Sequence, residues 1–185
     1  MATRDQLLDG ALHHLNAHPA TSMSEVAAAI GVGRATLHRH FATRADLVRA
    51  IGERSMERWE TTQATTGVRE ATVSEDADVV RECLRGMLAA LTRDAEDFAF
   101  VLTDDSMVED AELLARMTAL QAVEVELMAA GQRTGVLRSD VPAAWLSHLV
   151  YGVMVSVREA LRAGDLAPRT AADVVVSTFL SGASA

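Results

Sequence analysis

Apolar residues recur along most of this chain at every third or fourth position, which is the spacing of one face of an α-helix. The most regular stripe runs from Val79 to Leu91, and comparable stripes cover residues 4–15, 44–60 and 110–133. Aromatic residues make up only 4% of the chain, whereas Ala, Leu, Val and Met dominate, and this composition favours helices over strands. The pattern predicts an all-α protein.

Turn and capping residues predict where the remaining helices begin and end. A short apolar piece over residues 98–102 is expected to be helical, Asp140 and Pro142 are expected to open a helix that ends at Gly164, and Pro168 opens the last one. The Thr-rich stretch over residues 61–76 lacks any periodicity. We interpret it as a linker.

The segment from Ser22 to Phe41 carries two closely spaced sets of helix signals. Ser22 with Glu25 three residues later is a capping box, and Gly31 stands where a left-handed residue ends a helix. Gly33 then caps a second short helix weakly. Two short helices that meet at a glycine turn are typical of a helix-turn-helix. We therefore predict an N-terminal three-helix DNA-binding domain over residues 1–46 and a C-terminal helical ligand-binding and dimerisation domain over residues 47–185.

A helical wheel assigns roles on the second of these helices. If Leu37 and Phe41 face the core, the opposite face is free to enter a major groove. A small Ala35 allows close approach, Thr36 and Arg39 reach base edges, and the remaining residues bond phosphates. The predicted DNA-contacting residues are Ser22, Arg34, Ala35, Thr36, His38, Arg39, His40 and Arg44.

The run T-L-H-R-H-F, followed by A-T-R-A-D-L, resembles the N-terminal domain of TetR-type transcriptional regulators, which usually read T-L-Y-x-H-F-x-x-K-x-x-L. The resemblance covers roughly residues 4–59 by motif. It implies a homodimeric repressor whose C-terminal helices bind a small effector and release DNA. His38 replaces the usual Tyr, Gly33 the usual Ser, and Arg44 the usual Lys.

The net charge of −9 argues at first against a nucleic-acid partner. However, residues 1–59 hold seven arginines against six acidic residues, whereas the rest of the chain holds ten against twenty. A near-neutral N-terminal segment on an acidic remainder is compatible with DNA binding and predicts modest non-specific affinity.

The last two predicted helices carry too many apolar residues for one buried stripe. A helix that is apolar on most sides must be covered on most sides, either as a central core helix or by an identical partner chain. We favour a two-fold homodimer, which would also supply two DNA-binding domains for the two halves of a palindromic operator. The predicted interface residues are Val150, Val153, Val157, Val175 and Phe179.

Flexible methionines and aromatic side chains in the C-terminal part suit a mostly apolar cavity for a small effector. Taken one by one, these residues are also ordinary core residues. The predicted ligand-binding set is Met87, Phe98, Phe100, Met107, Met117, Trp145, His148, Tyr151 and Met154.

Other function classes find little support. His13, His14 and His18 include an i, i+4 pair but no third ligand, so no metal site is predicted. No nucleophile elbow or phosphate-binding loop is present, so we predict no catalytic residues, no enzyme and no cofactor. The remaining alternative is a helical small-molecule binding or dimerisation module whose vestigial helix-turn-helix no longer binds DNA. No long apolar run or secretory signal is visible, and we expect a cytoplasmic protein without a membrane partner.

Overall fold

The computed structural model of this chain describes residues 2–103 and 109–184, and in these residues the protein is all-α, without a β-strand. The helices are α1 (Arg4–Ala17), α2 (Met23–Ala29), α3 (Arg34–His40), α4 (Arg44–Thr65), α5 (Val68–Thr72), α6 (Ala77–Asp97), α7 (Ala111–Arg133), α8 (Ala143–Ala163) and α9 (Pro168–Ala183). The predicted helix over residues 98–102 is a turn followed by a short 3-10 segment, Val101–Thr103.

Most of the predicted helix starts are confirmed. As predicted, a capping box at Ser22 opens α2 and Pro168 is the first residue of α9; a capping box at Thr3 opens α1. The prediction for α8 is wrong in one detail, since its N-cap is Pro142. The carboxylate of Asp140 is held instead by a two-pronged contact with Arg138, which also holds the pKa of Asp140 below its usual value.

The predicted linker over residues 61–76 is wrong. Helix α4 continues through Thr65, five residues beyond Glu60, and α5 follows after Gly67. Thr62 and Gln63 are buried, and the hydroxyl groups of Thr65 and Thr66 bond to carbonyl oxygens one turn earlier. Tertiary burial thus overrides the weak helix propensity of threonine here.

The described residues divide into two compact units whose boundary differs from the predicted one after residue 46. The first unit contains residues 2–57, 97–103 and 109–115, and the second contains residues 58–96 and 116–184. The first half of α4 belongs to the first unit because its inner side, including Leu47 and Ile51, is buried there. The described residues between α6 and α7, 98–103 and 109–110, join the first unit although they are remote from it in sequence.

The core of the first unit is apolar and brings α1, α2, α3 and the start of α4 together. Leu7, Leu15, Leu37 and Ile51 are at most 2% exposed. Gly10 lets α1 approach the end of α2 closely, because a Cβ atom at this position would lie 3.0 Å from Cγ2 of Ile30. This packing fixes the positions of α2 and α3.

The second unit is built from the end of α4 and helices α5 to α9, with α8 packed against α9. Its interior is apolar except for a group of buried polar side chains: Thr62, Gln63, Thr92, Asp94, Glu124 and Ser147. None of the described helices combines the length and apolarity that a bilayer-spanning segment needs.

Candidate nucleic-acid interface

Ser22 and Glu25 fix the start of α2. The Oγ atom of Ser22 accepts the Glu25 N–H at 3.4 Å, and Oε2 of Glu25 accepts the Ser22 N–H at 2.7 Å. Hydrogen bonding of the Glu25 carboxylate to the backbone N–H of Ser22, and secondly to the Ser22 side chain, lowers the pKa of Glu25. Ser22 is exposed, so this predicted DNA contact lies at the surface as a helix cap.

The turn between α2 and α3 depends on Gly31. Its φ of 72° lies in the left-handed region, where side chains with a Cβ atom are strained. The N–H of Gly31 bonds to Ala28 O and that of Val32 to Ala27 O, which closes α2. Gly33 caps α3 without a side-chain bond, as expected of a weak cap.

Helix α3 has the two faces that the wheel predicts. Leu37 and the following Phe41 are at most 1% exposed. On the other side Arg34, Ala35 and Arg39 are exposed, and the predicted residues between them are partly exposed: Thr36, His38 and His40. A two-turn helix with a small residue and side chains that can donate or accept hydrogen bonds on its outer face has the chemistry to read base edges.

His38 and Arg34 are bound to each other. The Nε atom of Arg34 donates to Nε2 of His38 at 3.2 Å, while Nδ1 of His38 lies 3.0 Å from the carbonyl oxygen of Ala42. A carbonyl oxygen only accepts, so the ring proton resides on Nδ1 and both ring nitrogens are used within the chain. A phosphate bond from His38 would require the ring to give up one of these partners.

Arg44, which the sequence predicts to be a phosphate ligand, has partners within its own chain. Its Nη2 atom donates to the carbonyl oxygen of Pro19 at 2.7 Å, and its guanidinium lies 5.9 Å from the centre of the Phe100 ring. The side chain thus ties the start of α4 to the α1–α2 turn and to the segment after α6. Its structural contacts were missed because Phe100 is 56 residues away in sequence.

Two other arginines of the first unit are engaged with carboxylates. Arg49 contacts Glu53, Asp110 and Glu112, and Arg54 contacts Asp5 and Asp9. Arg39, in contrast, forms no hydrogen bond or ion pair with another described residue and is exposed. It is therefore the cation on the outer face of α3 that is available to a ligand.

The predicted ligand-binding residues are divided between the two units. Phe98 and Phe100 belong to the first unit, where Phe100 is buried under Arg44, and Met107 lies outside the described residues. In the second unit Met87 and Met154 are buried and Met117 is partly exposed. The predicted ligand contacts on α8 face outward instead: Trp145, His148 and Tyr151.

The predicted interface residues also need correction. Val150, Val157, Val175 and Phe179 are 2–4% exposed because they form the core between α8 and α9, so a partner chain has little of them left to cover; Val153 is partly exposed. The wheel identified apolar helices correctly but chose the stripe that the chain covers itself. The apolar residues that these helices expose are Trp145, Leu149, Tyr151 and Val174.

The family match of this chain lies in its first unit, which contains the helix-turn-helix. Residues 7–51 match the family described as bacterial regulatory proteins, tetR family. The chain is 27% identical over 184 residues to the HTH-type transcriptional repressor LfrR of Mycolicibacterium smegmatis, covering 97% of this chain and 89% of that protein. It is 29% identical over 168 residues to the HTH-type transcriptional regulator NfxB of Pseudomonas aeruginosa, covering 90% and 86%.

Solved structures agree over nearly the whole length. The crystal structure of LfrR in complex with proflavine superposes with a TM-score of 0.74 at 26% identity and covers 97% of this chain and 94% of that one. AibR, solved with isovaleryl coenzyme A and operator DNA, has a TM-score of 0.70 at 20% identity and covers 95% and 96%, which is a likeness of fold.

Proposed function

Because the chain belongs to the TetR family of bacterial transcriptional regulators, we propose that it binds a two-fold symmetric operator as a homodimer and is released from it by a small molecule. In this proposal the protein is a repressor, as the name of LfrR states for that relative.

The outer face of α3 supports the DNA-binding part of the proposal. Ala35 and Arg39 are exposed and Thr36 is partly exposed, away from the buried Leu37, and Arg39 has no intramolecular partner in the described residues. An arginine can donate two hydrogen bonds to guanine O6 and N7, which is the commonest specific contact in the major groove. Arg39 is therefore the residue to which we assign most of the base discrimination.

The exposed apolar residues of α8 and α9 support a dimer. Trp145 and Leu149 lie one turn apart on α8 and are 57% and 36% exposed, and Val174 on α9 is 44% exposed. Burial of such side chains against an identical surface drives two-fold association. A dimer places two α3 helices for successive major grooves, which lie about 34–36 Å apart.

The second unit is where we place the effector site. LfrR was crystallised with proflavine, a planar aromatic compound, so a relative that matches 97% of this chain accepts a ligand of this kind. The buried methionines of the second unit, Met87 and Met154 among them, have side chains that adapt to an apolar ligand with little strain. We infer an apolar or amphipathic effector.

A binding assay tests this function. Fluorescence anisotropy with labelled duplexes from the DNA that flanks the gene should show one that binds at least about a thousandfold more tightly than a scrambled duplex. Added proflavine should weaken that complex. Arg39→Ala should remove the preference, whereas Arg93→Ala, an exposed arginine on α6, should leave it intact. Equal affinity of the wild type for all duplexes would contradict the proposal. It would favour a small-molecule binding or dimerisation module whose helix-turn-helix does not recognise a DNA sequence.

A further inference from the structure

Glu124 is a carboxylic acid in the interior of the second unit. It lies in the middle of α7 and is 3% exposed. The indole N–H of Trp59, on α4, donates to its Oε1 atom at 2.6 Å. This is a hydrogen bond from a neutral donor, and it leaves the charge of the carboxylate without a counter-charge.

Other acidic side chains near the same stretch of α4 are paired with arginine. Nε of Arg58 donates to Asp94 at 2.7 Å, and the two prongs of the Arg116 guanidinium hold Glu60 at 2.6 and 2.7 Å. Helices α4 and α7 thus both carry arginines, yet among the described residues none forms an ion pair with Glu124. Glu124 is the more deeply buried acid and lacks a cationic partner.

This arrangement has an energetic cost. Burial raises the pKa of Glu124 to about 7, and the Trp59 bond offsets only part of that effect. At neutral pH the group is therefore about half protonated. An apolar residue at this position would avoid the cost, so a buried acid with a strongly raised pKa points to a binding role.

The side chains around Glu124 have the chemistry of a site for an organic cation. Trp59 offers an aromatic ring, and Gln63, one turn further along α4, is anchored by its Nε2 atom to Leu120 O at 2.8 Å. Met128 is buried one turn after Glu124 on the same side of α7. Aromatic and thioether groups accommodate flat apolar rings, and a carboxylate in low dielectric attracts a positive charge strongly.

We propose that the effector is an aromatic cation, with Glu124 as its counter-charge and the Trp59 ring against its apolar surface. This deepens the proposed function, on which it rests, by naming the charge of the ligand. Neutral compounds of the same shape should bind more weakly because they supply no counter-charge, and anionic compounds should bind more weakly still because the carboxylate repels them.

Binding of the cation must then be linked to a proton. The bound cation favours the carboxylate form, so protonated Glu124 gives its proton to solvent when the ligand enters. Affinity should fall about tenfold for each pH unit below about 7 and be level above it. Other ionisable groups of this unit include the paired Glu60, Arg116, Arg58 and Asp94, the exposed Glu126 on α7, and His148 on α8, which contacts Gln121.

Calorimetric titration of the full chain with proflavine tests the proposal. The wild type should bind it, with proton release measured by comparing two buffers of different ionisation enthalpy. Glu124→Gln keeps the shape and the Trp59 bond, and it should lose about tenfold or more in affinity together with the pH dependence. Glu126→Gln, an exposed acid two residues away, and His148→Gln should keep both.

Several outcomes would overturn it. These are wild-type affinity in Glu124→Gln, an affinity of the wild type that does not change with pH, loss of the pH dependence in His148→Gln, or failure of the wild type to bind either proflavine or ethidium. If Glu124→Gln does not fold, the proton release of the wild type decides alone. Operator binding is measured in the same samples, so a protein that binds the cation but no operator disproves the proposed function and leaves this inference standing.

Discussion

The side chain of Asn16, near the end of α1, receives the backbone N–H of Phe100 on its Oδ1 atom at 2.8 Å. Its Nδ2 atom donates at the same distance to the carbonyl oxygen of Asp97. One amide thus satisfies a donor and an acceptor at the end of α6, 81 and 84 residues away in sequence. Together with Arg44 over the Phe100 ring, it attaches this segment to the helix-turn-helix unit.

Replacement of Asn16 should therefore destabilise the first unit. Asn16→Ala leaves a part-buried N–H and a carbonyl without their partners, and we expect the free energy of unfolding to fall by about 2–3 kcal/mol. Urea denaturation measures this. The control is His13→Ala, an exposed residue of the same helix, which should change little. Equal stability of both variants would mean that the amide bonds contribute nothing net.

The helix-turn-helix was predictable because its signals are local. A capping box spans four residues, and the buried pair Leu37 and Phe41 is one turn apart, so the sequence alone contains the geometry. The same holds for the regular stripe of α6 and for Pro168 at the start of α9.

The remaining features depend on contacts between distant residues. Helix α4 extends through Thr65 because Thr62 and Gln63 are buried. A threonine-rich sequence without apolar periodicity does not indicate that these two side chains are buried. Likewise an apolar helix such as α8 has more than one possible buried stripe, and the sequence does not say which one its own core covers. Glu124 was missed because its charge is ordinary on a helix until its burial is known.

Arg39 and Arg44 should respond differently to substitution. Arg39→Ala removes an exposed guanidinium without a described partner, so operator affinity should fall about tenfold or more, with relaxed preference at one base pair per half-site and unchanged stability. Competition titrations with single-base operator variants measure this. A uniform loss for all sequences would assign Arg39 to the phosphates.

Arg44→Ala should act mainly on the fold. It removes the bond to Pro19 and the contact with Phe100, and we expect a loss of about 1–2 kcal/mol in unfolding free energy. Arg44→Lys keeps the charge but not the planar stacking, so it should recover only part of the loss. Thermal or urea denaturation distinguishes the variants; full stability of Arg44→Ala would contradict this structural role.

Glu124 predicts a pH dependence of stability. The unfolded chain ionises this group near its usual pKa of 4.5, while the folded protein keeps the proton up to about pH 7. Between these values the folded state binds more protons, so the unfolding free energy should decrease as pH rises, by about 3 kcal/mol in total. The difference between wild type and Glu124→Gln in urea denaturation isolates this contribution. A difference that is flat from about pH 4.5 to pH 7 would contradict the raised pKa.

The exposed stripe of α8 should control the oligomeric state. Leu149→Glu places a charge among the exposed apolar residues and should convert a dimer to monomers in light scattering, because a buried unpaired carboxylate costs several kcal/mol. The fold should survive, since Leu149 is 36% exposed within its own chain. Val79→Glu, at a 47% exposed position on α6, is the matched control and should remain dimeric. Val150→Asp places a charge in the core between α8 and α9 and should unfold the second unit instead. If Leu149→Glu stays dimeric with unchanged dissociation, the dimer interface lies on another surface. Other helices would then set the distance between the two helix-turn-helix domains.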